Sequence, residues 1–384
     1  MSVQTNLKDV LQPVEKAKGL PNAHYIDLDV FDEEKQAVLF NNWSGIGYGK
    51  DIPSAGDAKP INFLGMPLLM VRDRDGEIGV FQNTCRHRGM ILIEEPTKVR
   101  GPIRCPYHGW CYGLKGELRT TPHVGGPGNN EHEEIKLDKL GLFKIRSYVW
   151  HDIVFVNISG EAPEFTNANA ALMERWKEFD QPMTHGGPES SMKLQLKANW
   201  KLAVENYLES YHLPFVHPGL NSYSRLEDHY NIDESGQYAG QGTLVYQQLE
   251  GEGGHKFPDF DDLSDKWNEA GEYIAVYPNV LLGTHRDHFF TILLEPTGLN
   301  ETTEHIELYY KDEAVKNPEM GTMLATNAIR WKSVLEEDIF VVEGMQRGRK
   351  GDLFDGGKFS PAMDGPTHNF HHWVASNLEA SRNT

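Results

Sequence analysis

Three cysteines in 384 residues, two of them followed almost at once by a histidine, constrain this chain more than any other feature. Cys85-Arg86-His87 is a C-x-H pair, and seventeen residues later Cys105-Pro106-Tyr107-His108 is a C-x-x-H pair. So few cysteines build no disulfide framework, and in a reducing compartment they serve as metal ligands or buried thiols. Two thiolates and two imidazoles suit one tetrahedral zinc, or a [2Fe–2S] cluster in which one iron takes both Cys and the other both His. Zinc knuckles usually pair like with like, whereas here each loop offers one sulfur and one nitrogen. Two such loops present a sulfur edge and a nitrogen edge to an elongated two-iron cluster. Cys111 has no obvious partner and reads as a small packed thiol.

A second constellation lies in Glu209-Ser210-Tyr211-His212-Leu213-Pro214-Phe215-Val216-His217-Pro218. The run Leu202 to Tyr211 has a helical pattern, and Pro214 is expected to end it, with His212 in the last turn and His217 in the following loop. Alone, such a pair reads as surface or packing histidines; beside the first motif it reads as a metal site. A non-haem iron(II) centre takes two His and one carboxylate on one face and leaves the opposite positions open. The long helix predicted from about Gly321 to Gln346 carries Glu336-Glu337-Asp338-Ile339-Phe340-Val341-Val342-Glu343. The third ligand comes from these acids, unless all of them lie on a solvated face.

With 37 Lys and Arg against 56 Asp and Glu, the net charge is −19. That balance opposes the phosphate neutralisation on which nucleic-acid and anionic-membrane binding rest. No apolar run approaches the ~20 residues of a membrane span, and 39% hydrophobic residues suit a globular core. Lys8, Glu15, Lys16 and Lys18 interrupt the first twenty residues, so no signal peptide is read there and a cytoplasmic location is the expectation.

Along the chain, a helix is expected over Asp32 to Phe40, then a hairpin of Pro67 to Val71 and Ile78 to Phe81 around Asp75-Gly76. The aspartates of that turn lack the spacing of a calcium loop. Short apolar runs continue to Ile158, and a boundary is read at Ser159 to Pro163. Helical patterns follow at Ala168 to Phe179 and Leu196 to Tyr211. Strands are expected at Thr243 to Gln247, Tyr273 to Gly283, Phe289 to Glu295 and His305 to Tyr310, with Leu249 to Asp265 a mobile acidic loop. The fold class is α+β. His285 and His288 stand at a hairpin end, as pocket lining rather than ligands. His368, His371 and His372 belong to an aromatic tail with a packing or subunit-contact role. Tyr223, Tyr230, Tyr238 and Tyr246 are either cage walls for a cation or ordinary strand aromatics.

The segments C-R-H-R-G-M (Cys85 to Met90) and C-P-Y-H-G-W (Cys105 to Trp110) resemble the two loops of a Rieske domain, with Gly89 and Gly109 allowing close approach to the cluster. With the second constellation, the layout resembles the α subunit of Rieske non-haem iron oxygenases, the aromatic-ring-hydroxylating dioxygenase family. The resemblance implies an N-terminal helical segment (1–40) packing on the catalytic domain, a mostly-β Rieske domain (41–160), and a helix-grip catalytic domain (161–384). It implies a [2Fe–2S] cluster on Cys85, His87, Cys105 and His108. It also implies a mononuclear Fe(II) on His212, His217 and, by the E-D-I pattern, Asp338, with Glu337 and Glu343 as competing assignments. Glu209 matches the carboxylate that joins the first iron-binding His to a Rieske His of the neighbouring subunit. Ring-hydroxylating members usually carry Asp there, and Glu resembles carnitine monooxygenases.

The function implied is that of an O2-dependent oxidoreductase, the oxygenase component of a multicomponent system. An NAD(P)H-dependent flavin or iron–sulfur reductase supplies its electrons, and its members are homotrimers. The substrate class implied is a quaternary ammonium compound, monooxygenated at an N-methyl carbon and so demethylated. A ring-hydroxylating or O-demethylating enzyme for an aromatic acid is the alternative. A Rieske electron carrier without catalysis is the third reading, under which His212, His217 and Asp338 bind nothing. No nucleic-acid or membrane partner is expected.

Overall fold

The computed structural model describes residues 5–233 and 236–383. The chain divides into two compact units, residues 45–161 and a second formed by the chain up to Ser44 together with Ala162 onward. Among the described residues no helix is long and apolar enough to cross a membrane.

In the smaller unit a seven-stranded sheet takes the order Ser44–Tyr48, Ile153–Asn157, Lys144–Trp150, Ile78–Gln82, Met66–Arg72, Asp57–Phe63, Thr97–Lys98. The expected hairpin is there, with Leu69 opposite Phe81. Its aspartates hold the turn themselves: Asp73 Oδ1 accepts from the N–H groups of Asp75 and Glu77, while Lys115 pairs with Asp75. The two Cys-His loops are built alike. A bridge between Thr84 and Ile91 closes the first, and the Arg104–Cys111 pair closes the second. In each the Cys N–H donates to the carbonyl five residues on, and the Gly four residues on donates to the Cys carbonyl. Gly89 and Gly109 stand at φ +72° and +70°, where an L side chain is strained. A Cβ on Gly89 meets no protein atom within 4 Å, so within the protein this left-handed backbone, not a close approach, accounts for the glycine.

The larger unit packs four main helices around an eight-stranded antiparallel sheet. These are α1 (Leu28–Glu34), α2 (Trp200–Tyr207), α3 (Gly321–Gly348) and α4 (Gly365–Arg382). The path of the sheet runs Thr184–His185, Glu301–Tyr310, Phe289–Gly298, Val280–Thr284, Gly271–Val276, Tyr238–Thr243, His229–Ile232, and Ser191–Leu196 also pairs with Glu301–Tyr310. The long helix lies against one face. Phe290 and Tyr273 place their rings 4.5 and 6.1 Å from Trp331 of α3, and Asn327 of α3 donates to the Tyr310 hydroxyl at 3.0 Å. Side chains alternate along a strand, so Glu304, Ile306 and Leu308 share that face with Tyr310. This is the curled sheet around a helix that the resemblance implies.

Several expected elements are corrected. The helix expected over Asp32 to Phe40 begins at Leu28, because Asp27 accepts from the N–H groups of Asp29 and Val30, and a π-helical turn over Lys35–Phe40 extends it. Residues 168–179 form short turns, Ala170–Arg175 and Lys177–Phe179, rather than one helix. Leu196 ends a strand, and α2 starts only after Asn199, whose side chain accepts from the Lys201 N–H. Tyr273 to Gly283 is two strands joined by Tyr277-Pro278-Asn279, since Pro278 has no N–H for a ladder. The strand expected at Thr243 to Gln247 lies upstream at Tyr238–Thr243, where Gly240 and Gly242 hide the apolar alternation. The acidic loop is anchored, with Phe257 and Phe260 buried and Asp259 paired to Arg286.

Charge is buried where α2 meets α1. Lys201, fully buried, sits 2.5 Å from Glu34, whose other oxygen lies 2.7 Å from His24 Nδ1. One turn on, Glu205 accepts from Tyr25, 2.5 Å away, and faces His371 of α4 and Arg349, which follows α3. Removing one partner of a buried ion pair leaves an uncompensated charge, so Glu34→Ala is expected to cost about 3–5 kcal/mol. Urea unfolding checks this, and a loss below about 1 kcal/mol would contradict it.

Candidate active site

Helix α2 ends at Tyr207, seven residues before Pro214, so the proline does not end it. Pro214 instead falls in the first turn of a short helix, Leu213–Val216, where its missing N–H costs nothing. His212 is the N-cap of that turn and His217 its C-cap, which puts the two rings 5.1 Å apart.

On α3 the buried residues Leu324, Ala328, Trp331, Leu335, Val342 and Gln346 recur at steps of three, four or seven positions. Asp338 falls on the same stripe, seven residues after Trp331 and four before Val342, where an apolar side chain would be the rule. Its Oδ1 lies 3.0 Å from His217 Nε2 and 3.6 Å from His212 Nε2. The three donor atoms all lie within 4.8 Å of one another.

Both imidazoles are oriented by carboxylates. His212 Nδ1 lies 2.7 Å from Glu209 Oε1, and the His212 backbone N–H donates to Oε2 of the same group. His217 Nδ1 lies 2.8 Å from Glu337 Oε2. Each ring therefore donates Nδ1–H and turns the Nε2 lone pair toward Asp338. Three electron-pair donors so close repel unless a cation sits among them, and cis ligands at ~2.1 Å from one ion stand about 3 Å apart. Burial disfavours charge on His217, yet Asp338 and Glu337 outweigh it and hold its pKa above the usual imidazole value, a sign of excess negative charge. The donor set fits a divalent iron held by two His and one carboxylate. Glu337 is engaged with the far side of His217, and Glu343 accepts from the Lys197 N–H, away from the group.

Sequence reading missed Asn206, whose amide donates to Asp338 Oδ1 at 3.2 Å and lies 3.5 Å from His212 Nε2. The signal available was an amide within the otherwise buried α2. Tyr207 donates to the Leu282 carbonyl and ties the helix end to the sheet.

In the smaller unit Cys85 and Cys105 are buried, while His87 and His108 are exposed with rings 4.7 Å apart. Sulfurs point inward and nitrogens outward. Among the described residues the one cluster of three or more donors compact enough for a single ion is His212, His217 and Asp338. The four Cys and His donors form no such cluster, as a tetrahedral zinc would require, and their two-edged arrangement fits a [2Fe–2S] cluster. Tyr112, missed in the sequence reading, places its hydroxyl 3.2 Å from Cys85 Sγ. The Arg86 N–H donates to that oxygen, so the phenol proton is free for the sulfur. Cys111 lies apart, its thiol donating to the Gly109 carbonyl.

His285 and His288 are fully buried and stacked 4.5 Å apart. Trp331 donates to His288 Nε2 at 2.7 Å, which leaves its Nδ1–H to Asp287 and no lone pair for a metal. Of the four tyrosines, Tyr246 joins this cluster through Asp287, and Tyr223 accepts from Arg330 of α3. Tyr230 donates to Glu272 on the opposite face of the sheet, and strand alternation puts Tyr238 there too. His371 packs the tail, its Nδ1 accepting from the Leu20 N–H.

Asp338→Ala is expected to abolish iron retention at this site while sparing the visible spectrum of the cluster, and Glu337→Gln to weaken iron affinity about 10–100-fold. Metal analysis after dialysis checks both, and full iron in Asp338→Ala would refute the assignment. Tyr112→Phe removes one hydrogen bond to a thiolate, about 1.5 kcal/mol or more, so the cluster potential should fall by about 60 mV. Protein-film voltammetry measures it, and an unchanged potential would remove Tyr112 from that role.

Residues 42–143 match the Rieske [2Fe-2S] domain, and residues 173–380 match the ring hydroxylating alpha subunit (catalytic domain). The chain is 25% identical over 380 residues to the choline monooxygenase, chloroplastic, of Arabidopsis thaliana, covering 96% of this chain and 84% of that protein. It is 25% identical over 347 residues to the carnitine monooxygenase oxygenase subunit of Escherichia coli K12, covering 89% and 87%. The fold resembles that of a quaternary ammonium Rieske monooxygenase, with TM-score 0.77, 20% identity, and coverage of 98% of this chain and 100% of that one. It also resembles the naphthalene 1,2-dioxygenase from Rhodococcus, with TM-score 0.73, 17% identity and 94% of both chains covered. The chain therefore belongs to the family of ring-hydroxylating oxygenase alpha subunits, oxidoreductases that carry a Rieske [2Fe–2S] cluster and a mononuclear iron.

Proposed function

We propose that this chain is the oxygenase component of a Rieske monooxygenase that oxidises an N-methyl group of a quaternary ammonium compound. The observation that carries the reading is the pair of imidazoles, each turned by a carboxylate so that its Nε2 faces Asp338. When bound, the cluster relays single electrons, and the mononuclear iron supplies open positions for O2 chemistry. Cys85, His87, Cys105 and His108 hold the first group, and His212, His217 and Asp338 the second.

The chain's own residues do the rest. Glu209 fixes the tautomer of His212, and Asn206 holds Asp338 in place by donating to Oδ1. Glu209 serves as the bonded link from His212 to a Rieske histidine of a neighbouring subunit. That path requires an oligomer, a homotrimer as the family resemblance implies, and a flavin or iron–sulfur reductase oxidising NAD(P)H feeds it. Support for the substrate comes from the choline and carnitine monooxygenases to which the chain is similar, and from the Glu at position 209. Hydroxylation consumes O2, two electrons and two protons, leaves water, and yields an N-hydroxymethyl product that breaks down to formaldehyde and the demethylated amine. Three cysteines that form no disulfide suit a cytoplasmic location.

A single turnover of reduced, iron-loaded protein with O2 and a mixture of quaternary amines and aromatic acids tests the reaction by mass spectrometry. Loss of one methyl with matching formaldehyde is expected, and oxygen found only in an aromatic product would overturn the substrate class. Glu209→Ala should keep both metals and slow reoxidation of the cluster at least about tenfold, read by stopped-flow absorbance. Reoxidation at the wild-type rate would reject the link.

A further inference from the structure

The two metal sites hold their histidines by different means. At the iron site Glu209 and Glu337 fix the planes of His212 and His217 by hydrogen bonds to Nδ1. At the cluster site both imidazoles are exposed, and among the described residues no hydrogen bond reaches the ring of His87 or His108. Ligation through one nitrogen fixes where an imidazole sits but not its plane, and the torsion that sets the plane is broad and two-fold. These rings are held in another way.

Four rings stand in a row across the two Cys-His loops. Trp110 lies parallel to His87, with centroids 4.8 Å apart and 10° between the planes. His87 meets His108 edge to face at 4.7 Å, and Tyr107 leans over His108 at 3.7 Å with 37° between the planes. All four line one open groove of about 740 Å³. The ends of the row are themselves anchored. Trp110 is 4% exposed, belongs to the core that holds Cys85, Cys105 and Tyr112, and its carbonyl accepts from the Cys105 N–H at 2.8 Å. Tyr107 is 56% exposed, but its hydroxyl accepts from Arg88 at 3.3 Å, and that guanidinium lies 5.5 Å from its ring. The bracing crosses between the loops: the indole of the second covers the histidine of the first, and the arginine of the first holds the tyrosine of the second.

Stacking and hydrogen bonding differ in what they leave for the outer nitrogen. A carboxylate partner occupies it and adds negative charge, whereas a ring on the imidazole face leaves it free. The iron site turns its inner nitrogens to an ion and can commit the outer ones. The cluster has to keep its outer nitrogens for the group that takes its electrons. We infer that Trp110 and Tyr107 are positioning residues for electron transfer, which set the planes of His87 and His108 by stacking and so fix the direction of the outer nitrogens without occupying them. The inference stands on the cluster alone and is independent of the substrate.

Electron paramagnetic resonance of the reduced protein tests this, because the g values of a reduced [2Fe–2S] cluster respond to the orientation of its imidazole ligands. Leucine fills space but cannot stack, so Trp110→Leu and Tyr107→Leu should each load iron and sulfide at the wild-type level yet show shifted, broadened g values. Trp110→Phe and Tyr107→Phe keep a ring in place and should recover most of the wild-type spectrum. Reoxidation of the cluster in a single turnover should slow about tenfold in the leucine variants and recover in the phenylalanine ones. A role in filling space alone would make Leu and Phe equivalent at position 110. Wild-type g values in either leucine variant, or a phenylalanine variant as altered as its leucine counterpart, would overturn the inference. Tyr107 is exposed, so Tyr107→Leu decides the matter should Trp110→Leu fail to take up the cluster.

Discussion

A pair of opposite charges sealed inside the larger unit underlies the rest of it. Lys201 and Glu34 are both fully buried, and each would be intolerable there without the other. Their contact ties the N-terminal segment to α2, and Glu205, one turn later on that helix, ties in Tyr25, Arg349 and His371. Segments distant in sequence are thereby held to eight residues of helix. Hydrophobic contacts tolerate small slides, whereas paired buried charges do not. The helix that leads directly into Glu209, His212 and His217 thus has a fixed origin.

Beyond the end of that helix, the same economy of charge arranges the metal ligands. Glu209 and Glu337 each accept from the outer nitrogen of a histidine, which decides the direction in which the inner nitrogen faces. Asp338 stands between them on the buried stripe of α3, steadied by Asn206. Acids therefore outnumber fixed cations around the two rings, and the imbalance is what a divalent ion relieves. In the smaller unit the division differs: buried thiols, exposed imidazoles, and a tyrosine hydroxyl beside one sulfur. One site is built to hold a metal among open positions, the other to present its nitrogen edge outward.

Neighbouring acids on one helix illustrate how position outweighs composition. In the sequence only the resemblance to an E-D-I pattern sets Asp338 ahead of Glu337 and Glu343, whereas in the fold the three part company: Glu337 faces the back of His217, Asp338 the point between both rings, and Glu343 the Lys197 amide. A hundred degrees of rotation per residue separates them. Likewise Tyr223 and Tyr230 look alike in a run of tyrosines, but one meets Arg330 and the other Glu272 on the far face of the sheet.

Local chemistry made much of this legible without a structure. Cys-His spacing, the glycines after each pair, Asp75-Gly76 and the apolar period of α3 all act over a few residues, so sequence alone determined the two-loop motif, the hairpin, the long helix and the α+β class. The family resemblance rested on those same short segments. Where two short-range signals competed, the reading went astray: Pro214 looked like the end of a helix and is the start of another, and Gly240 and Gly242 concealed a strand. Contacts across 120 to 170 residues belong to the tertiary structure alone, including Glu337 on His217 and Glu34 on Lys201. Such pairings depend on how separate segments pack, and packing energy is a property of the whole fold rather than of any window along the chain.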